Sequence, residues 1–517
     1  MINLSIQWEQ AVFFIPDCSR SLEHVKKEDD GVAENKRLRK LALDSVPFGT
    51  EEQNEQWMKM RKIPLPEGVS SKQMYLDTFR IAWPSLVELT LAQLASMVDM
   101  MMVGKLNSSA VAAVGLTTQP VFLLMTVIMA LNVGVTALVA QNKGAGKKDR
   151  AELALRQALM LNFIVGVLMS VLGVIFATPM VKFMGANEDT LADASAYLRI
   201  RMYGLLAFGL TSTITAALRG AGDSRTSMVY NVIANASNVL FNYVLLFGHW
   251  GFPRLEVAGA AWATILGQFI AFGIAMFIVL KKSDKRYLHL DLKKGFKPHK
   301  DTIRNMVRIG IPSMIEQLIM RVGMVIFAKT VASIGTLQYA THTICMNIQA
   351  LSFMVGQAFA VSGTSLVGQS LGKSRKDMAL AYGKRTVLFG VICACVLMVL
   401  FFFFGGTIVS WYNDEAEVVR LGGVIMSFVA FTQPFQTMQF IQAGALRGAG
   451  DTRSTAIVTL ITVIFVRAAL GLLFVYVFKW GLIGAWVALV LDQLVRTVLI
   501  FIRYKSRKWM NFARAAR

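Results

Sequence analysis

Charge is scarce in this chain. Asp, Glu, Lys and Arg together make up 16% of the 517 residues, against about 25% in soluble domains. Hydrophobic residues make up 55%, in apolar runs of about 20 residues that are too many for a soluble core to hide. Cysteine is rarer still, limited to Cys18, Cys345, Cys393 and Cys395. Three of these lie in apolar stretches, where a thiol packs as a small hydrophobe. Cys393 and Cys395 have no His or further Cys at ligand spacing, so neither a disulfide framework nor a metal centre is indicated. Residues 1–19 lack a basic n-region and an A-x-A site, so no cleaved signal peptide is expected. Two Gly-Ala-Gly loops occur, but neither follows a strand nor ends in Gly-Lys-Ser/Thr, which excludes a phosphate loop. No catalytic constellation is visible, and no cofactor is expected. Acidic residues are the rarer sign, 32 against 53 basic ones, for a net charge of +21. The basic residues are scattered between apolar runs rather than gathered on one domain. That argues for basic cytoplasmic loops and against nucleic-acid binding.

What the chain does have is a repeat. Leu218-Arg-Gly-Ala-Gly-Asp-Ser-Arg-Thr226 returns as Leu446-Arg-Gly-Ala-Gly-Asp-Thr-Arg-Ser454, an offset of 447 − 219 = 228 residues. Gln141 maps onto Gln369 at the same offset, and Arg80-Ile-Ala-Trp-Pro-Ser-Leu-Val-Glu88 onto Arg308-Ile-Gly-Ile-Pro-Ser-Met-Ile-Glu316. One register kept across three motifs marks a duplicated unit. Duplicated membrane domains are the usual build of secondary transporters.

Hydropathy predicts an all-α polytopic membrane protein with twelve spans. Six lie at about 79–103, 113–138, 153–177, 191–216, 227–248 and 257–280, and six at about 303–333, 341–366, 383–409, 419–444, 455–478 and 482–503. Residues 1–75 read as a loose, charged extension, 76–280 as a first lobe, 281–300 as a basic linker, 301–505 as a second lobe and 506–517 as a tail. Lys/Arg concentrate on one side: at 143–150, in both repeated motifs, in the linker, at 373–376 and in the tail. That side is expected to be cytoplasmic, with both termini on it. Six spans per copy is an even number, so the repeat is parallel rather than inverted.

The two Leu-Arg-Gly-Ala-Gly-Asp motifs, each before the fifth helix of its half, resemble the multidrug and toxic compound extrusion (MATE) transporters. So do Val98-Asp-Met-Met-Met-Val-Gly104, Asn238-Val-Leu-Phe-Asn-Tyr-Val-Leu-Leu-Phe-Gly248 and Gly259-Ala-Ala-Trp-Ala-Thr264. The pattern at Pro312 and Glu316 resembles the DinF-like branch more than the NorM branch. The resemblance implies two six-helix lobes around a V-shaped cleft, related by a parallel pseudo-two-fold. It also implies alternating access and export of cationic or amphipathic compounds, driven by a proton or sodium gradient. The sequence departs from the family at Asn242, where members often carry Asp.

The repeat separates scaffold from function. Polar residues in both copies serve the common frame, and those in one copy only are better functional candidates. Asp99 corresponds to Phe327, and a carboxylate in mid-span has to face a cavity or a partner. Asn238 and Asn242 share a helix face, and with Asp99 and Thr264 they are the candidate ion-coupling site. An interhelical hydrogen-bond cluster is the alternative reading. With only one carboxylate there, a proton is expected ahead of sodium. Glu316 is a second candidate carrier. Glu88 and Glu316 recur in both copies, each four residues after a proline, and read either as scaffold or as cleft wall. Asp223 and Asp451 are expected to cap helices, and Arg219 and Arg447 to anchor at headgroups. Gln349, Phe353 and Gln357 on the eighth span, and Gln436 and Gln439 on the tenth, are candidate cleft residues. Arg321, Arg467 and Asp492, confined to the second copy, are candidates for gating or charge pairing. Arg467 is expected to reach Glu316 or Asp492 across the cleft, and Asp492 and Arg496, four apart, to pair locally.

The leading expectation is a monomeric, ion-coupled exporter of small amphipathic or cationic compounds in the plasma membrane, touching lipid and no nucleic acid. One alternative is a flippase or exporter for a lipid-linked or anionic substrate. Another is a regulatory membrane module acting through residues 1–75.

Overall fold

A computed structural model describes residues 41–60, 64–283 and 286–513. Among these residues every regular element is helical. Twelve helices follow the predicted order. In the first half they are α1 (Ser71–Gly104), α2 (Ser108–Gly144), α3 (Lys148–Ile175), α4 in two segments (Glu188–Tyr203 and Leu205–Gly220), α5 (Ser224–Phe247) and α6 (Glu256–Leu280). In the second half they are α7 (Lys300–Ala332), α8 (Thr336–Gly372), α9 (Lys376–Ser410), α10 (Ala416–Ala449), α11 (Thr452–Val477) and α12 (Gly481–Lys505). The halves form two lobes in parallel relation, and the chain is a multi-pass integral membrane protein.

Local chemistry sets the helix boundaries. Ser70 accepts from the Gln73 amide at 3.2 Å and Asn107 from the Ala110 amide at 2.6 Å, capping α1 and α2. Asp223 and Asp451 cap α5 and α11, accepting from Thr226 N at 3.2 Å and Ser454 N at 3.4 Å. The residue before each, Gly222 at φ +78° and Gly450 at φ +93°, occupies the left-handed region that turns the chain between helices. The first lobe packs around Leu155, Ile214 and Tyr230. The second packs around Ile425, Met426 and Trp486.

The lobes meet at the basic end, and the contact is itself two-fold. Gln141 on α2 donates to the Gly448 carbonyl at 2.9 Å, and Gln369 on α8 donates to the Gly220 carbonyl at 3.1 Å. Gly144 lies against the Gln369 carbonyl and Gly372 against the Gln141 carbonyl, so close that a Cβ on either would collide with backbone. Further interlobe bonds at the same end join Ser362 to the Thr78 carbonyl at 3.1 Å and Ser365 to the Gly220 carbonyl at 3.2 Å.

Several expectations need correction. The fourth span is broken at Gly204. The eleventh contains π-helical turns at Thr462–Ala468 and Leu473–Val477. Residues 1–40 lie outside the described residues, but from Leu41 the expected loose extension is packed. Leu41, Ala42, Leu43 and Val46 are buried against Ile81, Leu366, Met378 and Tyr382. Ala42 N donates to Asp77 at 2.8 Å, and the Tyr382 hydroxyl donates to the same oxygen at 2.7 Å. Lys373 Nζ donates to the Leu43 carbonyl at 2.7 Å. Burial pulls its ammonium below the ordinary lysine range, against the opposing Asp44 carboxylate. Asn54, on the short helix Glu51–Lys59, donates to the Ser374 carbonyl at 2.7 Å. This strap touches α1 of one lobe and α8–α9 of the other. The linker and the tail are packed as well, with Leu288 and Leu290 in the first core and Trp509 and Met510 buried in the second lobe.

Candidate functional site

Asp99, Asn238, Asn242 and Thr264 come together from α1, α5 and α6. Asn242 Nδ2 donates to Asp99 Oδ1 at 2.5 Å. The Asn238 amide has two useful orientations. In one, Nδ2 donates to Thr264 Oγ1 at 3.4 Å. In the other, Nδ2 donates to both Asp99 oxygens at 3.0 Å while its oxygen accepts from Thr264 N at 3.3 Å. The Asn242 carbonyl oxygen is buried and has no partner. No Lys or Arg forms an ion pair with Asp99 among the described residues; amides make its direct hydrogen bonds, and the charge of Arg201 on α4 acts on it from beyond salt-bridge distance.

An amide can turn either end toward a carboxyl group. The –NH2 end suits a carboxylate and the oxygen suits a protonated acid. The cluster can therefore answer the gain of a proton by reversing its amides. Its side chains also supply oxygens from three helices, the donor type that a hard cation takes.

The repeated glutamates are clamped rather than free. Arg219 meets Glu88 at 2.9 Å, Asn231 donates to it at 2.5 Å and Ser227 at 3.3 Å. In the second lobe Arg447 meets Glu316 at 2.5 Å and Thr455 donates to it at 2.8 Å. The partners obey the repeat, with Arg219 and Arg447, and Ser227 and Thr455, in register. The motif arginines therefore hold glutamates inside the lobes, not headgroups as expected. Glu88, 5% exposed, does not line an open cleft, and Glu316, 6% exposed, meets neither Arg321 nor Arg467. Four residues of the repeated motif now have a physical task. Arg binds the glutamate, the first Gly offers its carbonyl to the other lobe, the second Gly makes the turn and Asp caps the next helix.

Arg467 stays within its own lobe. Its Nη2 meets Asp492 at 2.5 Å, and Arg496 meets the same carboxylate at 2.7 Å. The local Asp492–Arg496 pair was legible in the sequence, but the third member was expected from across the cleft. The π-helical turn at Thr462–Ala468 carries Arg467. An extra residue per turn rotates the side chains beyond it, and such turns recur at functional sites. Arg496 Nε also donates to Thr462 at 3.0 Å.

The amide stripe divides. Gln349 and Gln436 are 1% exposed and Gln439 5%, within the second lobe instead of on a cleft wall. Both side-chain polar atoms of Gln349 and of Gln436 lack a protein partner. Phe353 is half-buried and packs edge-on to Phe440 at 5.8 Å, while Gln357 is exposed. Arg321 makes no ion pair among the described residues. It lies over the Phe122 ring of the other lobe, 4.2 Å from its centroid.

Sequence reasoning missed Phe122, Asn231, Asp77 and Tyr382. The Glu–Arg clamps had a readable signal, because both partners recur at the 228-residue offset.

Known proteins supply the remaining context. The probable multidrug resistance protein NorM of Thermotoga maritima is 28% identical over 434 residues, covering 84% of this chain and 92% of the relative. The multidrug resistance protein PmpM of Pseudomonas aeruginosa is 28% identical over 477 residues, covering 89% and 99%. Among solved structures, one described as MATE in the bent conformation matches with a TM-score of 0.78 at 20% identity, covering 85% of this chain and 97% of that one. Another, described as the outward-facing conformation of a multidrug resistance MATE family transporter of the MOP superfamily, matches with a TM-score of 0.78 at 21% identity, covering 86% and 98%. These two likenesses are of fold. The MatE family model matches twice, at residues 84–244 and 312–473, once in each repeat and over more than half of the sequence. The chain therefore belongs to the MatE family.

Proposed function

We propose that this protein is a secondary active multidrug exporter. It exchanges an amphipathic compound for protons by alternating access, as a monomer in the plasma membrane with both termini cytoplasmic. The observation that carries the coupling is the Asp99 cluster, a carboxylate held at 2.5 Å by one amide and within reach of a second, with no ion pair among the described residues. Protonation removes the charge that both amides address and turns one oxygen into a donor. The unpartnered Asn242 oxygen is the nearest acceptor to take it. That exchange ties the proton count of α1 to the packing of α5 and α6, and so to the balance between lobe arrangements. A proton is favoured over sodium because one carboxylate suffices for it, whereas a desolvated sodium ion profits from more than one anionic ligand. The interlobe hydrogen bonds at the basic end support a state closed on that side, which on this reading is the cytoplasmic one. The names of the relatives support drug efflux.

The test is gradient-driven flux in vesicles containing purified protein. Wild type is expected to respond to a pH gradient, and Asp99→Asn to lose that response while remaining folded. Efflux driven by sodium alone at fixed pH, or pH-driven transport by Asp99→Asn at the wild-type rate, would refute the assignment.

A further inference from the structure

We infer that the transported compound carries an anionic group, read by Arg321, on an apolar body that lies along the α2–α7 seam. The inference rests on the exporter reading above.

Most intramembrane arginines of this chain are accounted for by carboxylates. Arg219 has Glu88, Arg447 has Glu316, and Arg467 and Arg496 share Asp492. Arg321 differs. It is half-buried, makes no ion pair among the described residues, and lies against the face of Phe122 at 4.2 Å. One phenyl ring offsets only part of the cost of a guanidinium held inside a membrane. Scaffold duty does not explain it either, because its register-mate is Gln93 and that of Phe122 is Ala350. The pair exists once and joins the two lobes. The interlobe hydrogen bonds named above lie nearer the basic end, so Arg321 stands on the seam beyond them.

The neighbouring surface completes an amphipathic site. On the same seam, toward the basic end and bordered also by α3, is a cavity of about 200 Å³. Val127, Leu131, Leu161, Val165, Ile311 and Met314 line it, and every lining residue is apolar. Met314 and Arg321 are seven residues apart, so they share one face of α7 and stand roughly 10 Å apart along it. An apolar cavity that ends at an unneutralised guanidinium is complementary to a carboxylate, sulfonate or phosphate on an alkyl or aromatic body of that length. Such an anion replaces Phe122 as the partner of Arg321. A cation at the same spot meets like charge.

The experiment is equilibrium binding without any gradient, which keeps it independent of ion coupling. Purified protein in nanodiscs is titrated calorimetrically with a dansylated undecanoate and with the matching dansylated undecylammonium, and the heats of empty nanodiscs are subtracted. Wild type is expected to bind the carboxylate at least tenfold more tightly. R321Q is expected to lose that preference, R321K to keep most of it and R321E to reverse it. Equal binding of the two probes by wild type, or tighter binding of the ammonium, overturns the inference whether or not any variant folds. Unchanged carboxylate affinity in folded R321Q overturns it too. Failure of D99N to alter pH-driven flux would sink the coupling scheme and leave this binding result standing, so the two readings fail separately.

Discussion

Glu316 reads either as scaffold or as a second proton carrier, and its replacement makes a quantitative test. Its carboxylate receives Arg447 at 2.5 Å and Thr455 at 2.8 Å, and it is 6% exposed. The Arg447 side chain is 23% exposed. Breaking a fully buried ion pair costs about 3–5 kcal/mol, because the survivor is left charged and unpaired. Arg447 keeps some access to solvent, and glutamine still offers one oxygen to Thr455, so the expected cost of Glu316→Gln is smaller, about 2 kcal/mol. Arg447→Met alone leaves a buried carboxylate with one hydroxyl partner and costs about as much. The double variant strands neither charge, and its cost is expected to fall short of the sum of the singles by roughly 1–2 kcal/mol. The assay is unfolding in mixed micelles for wild type, both singles and the double, beside pH-dependent flux in vesicles. Glu316→Gln should lose stability and keep the shape of its pH response. A variant of wild-type stability whose flux no longer follows pH would show that Glu316 carries the proton and that the scaffold reasoning is wrong.

Two other outcomes are expected at the interlobe face. Gly144→Val puts a branched side chain where even a Cβ meets the Gln369 carbonyl, so the basic end cannot close. Spin labels on Lys148 and Lys376 should report longer distances and flux should fall at least roughly tenfold, whereas unchanged distances would contradict the contact. Asp77→Ala removes the acceptor shared by Ala42 N and the Tyr382 hydroxyl, each a charge-assisted bond of about 1.5–3 kcal/mol. Amides 41–46 should then exchange hydrogen faster while α1 stays protected, and unaltered protection would mean that apolar burial alone holds the strap.

The twelve spans were legible because uninterrupted hydropathy and the 228-residue register are local or periodic signals. The Asp99 cluster was legible through helical spacing and the asymmetry between copies. What escaped depends on backbone detail or on distant pairs. The break at Gly204 and the π-helical turn under Arg467 change helix phase without changing hydropathy. Glu88 and Arg219 are 131 residues apart, as are Glu316 and Arg447, so no helical period links the partners, and their joint recurrence at the 228-residue offset was the one signal that joined them. The strap was masked by its charged setting, since its buried apolar residues there are only Leu41, Ala42, Leu43 and Val46, too few to raise the local hydropathy.

The crossed contacts of Gln141 with Gly448 and Gln369 with Gly220 have a further consequence. Each half carries both faces of one self-complementary surface, the property of an isologous dimer. A chain half this long would hold what it needs to close on a second copy of itself, Gly against Gln on both sides of the axis. Joining the halves through residues 281–300 keeps that surface and removes the requirement that both partners be identical. Asp99 opposite Phe327, and Arg321 opposite Gln93, are differences that an obligate pair of identical subunits could not hold. Fusion preserves the symmetry of that contact while allowing one lobe to carry Asp99 and the other Arg321.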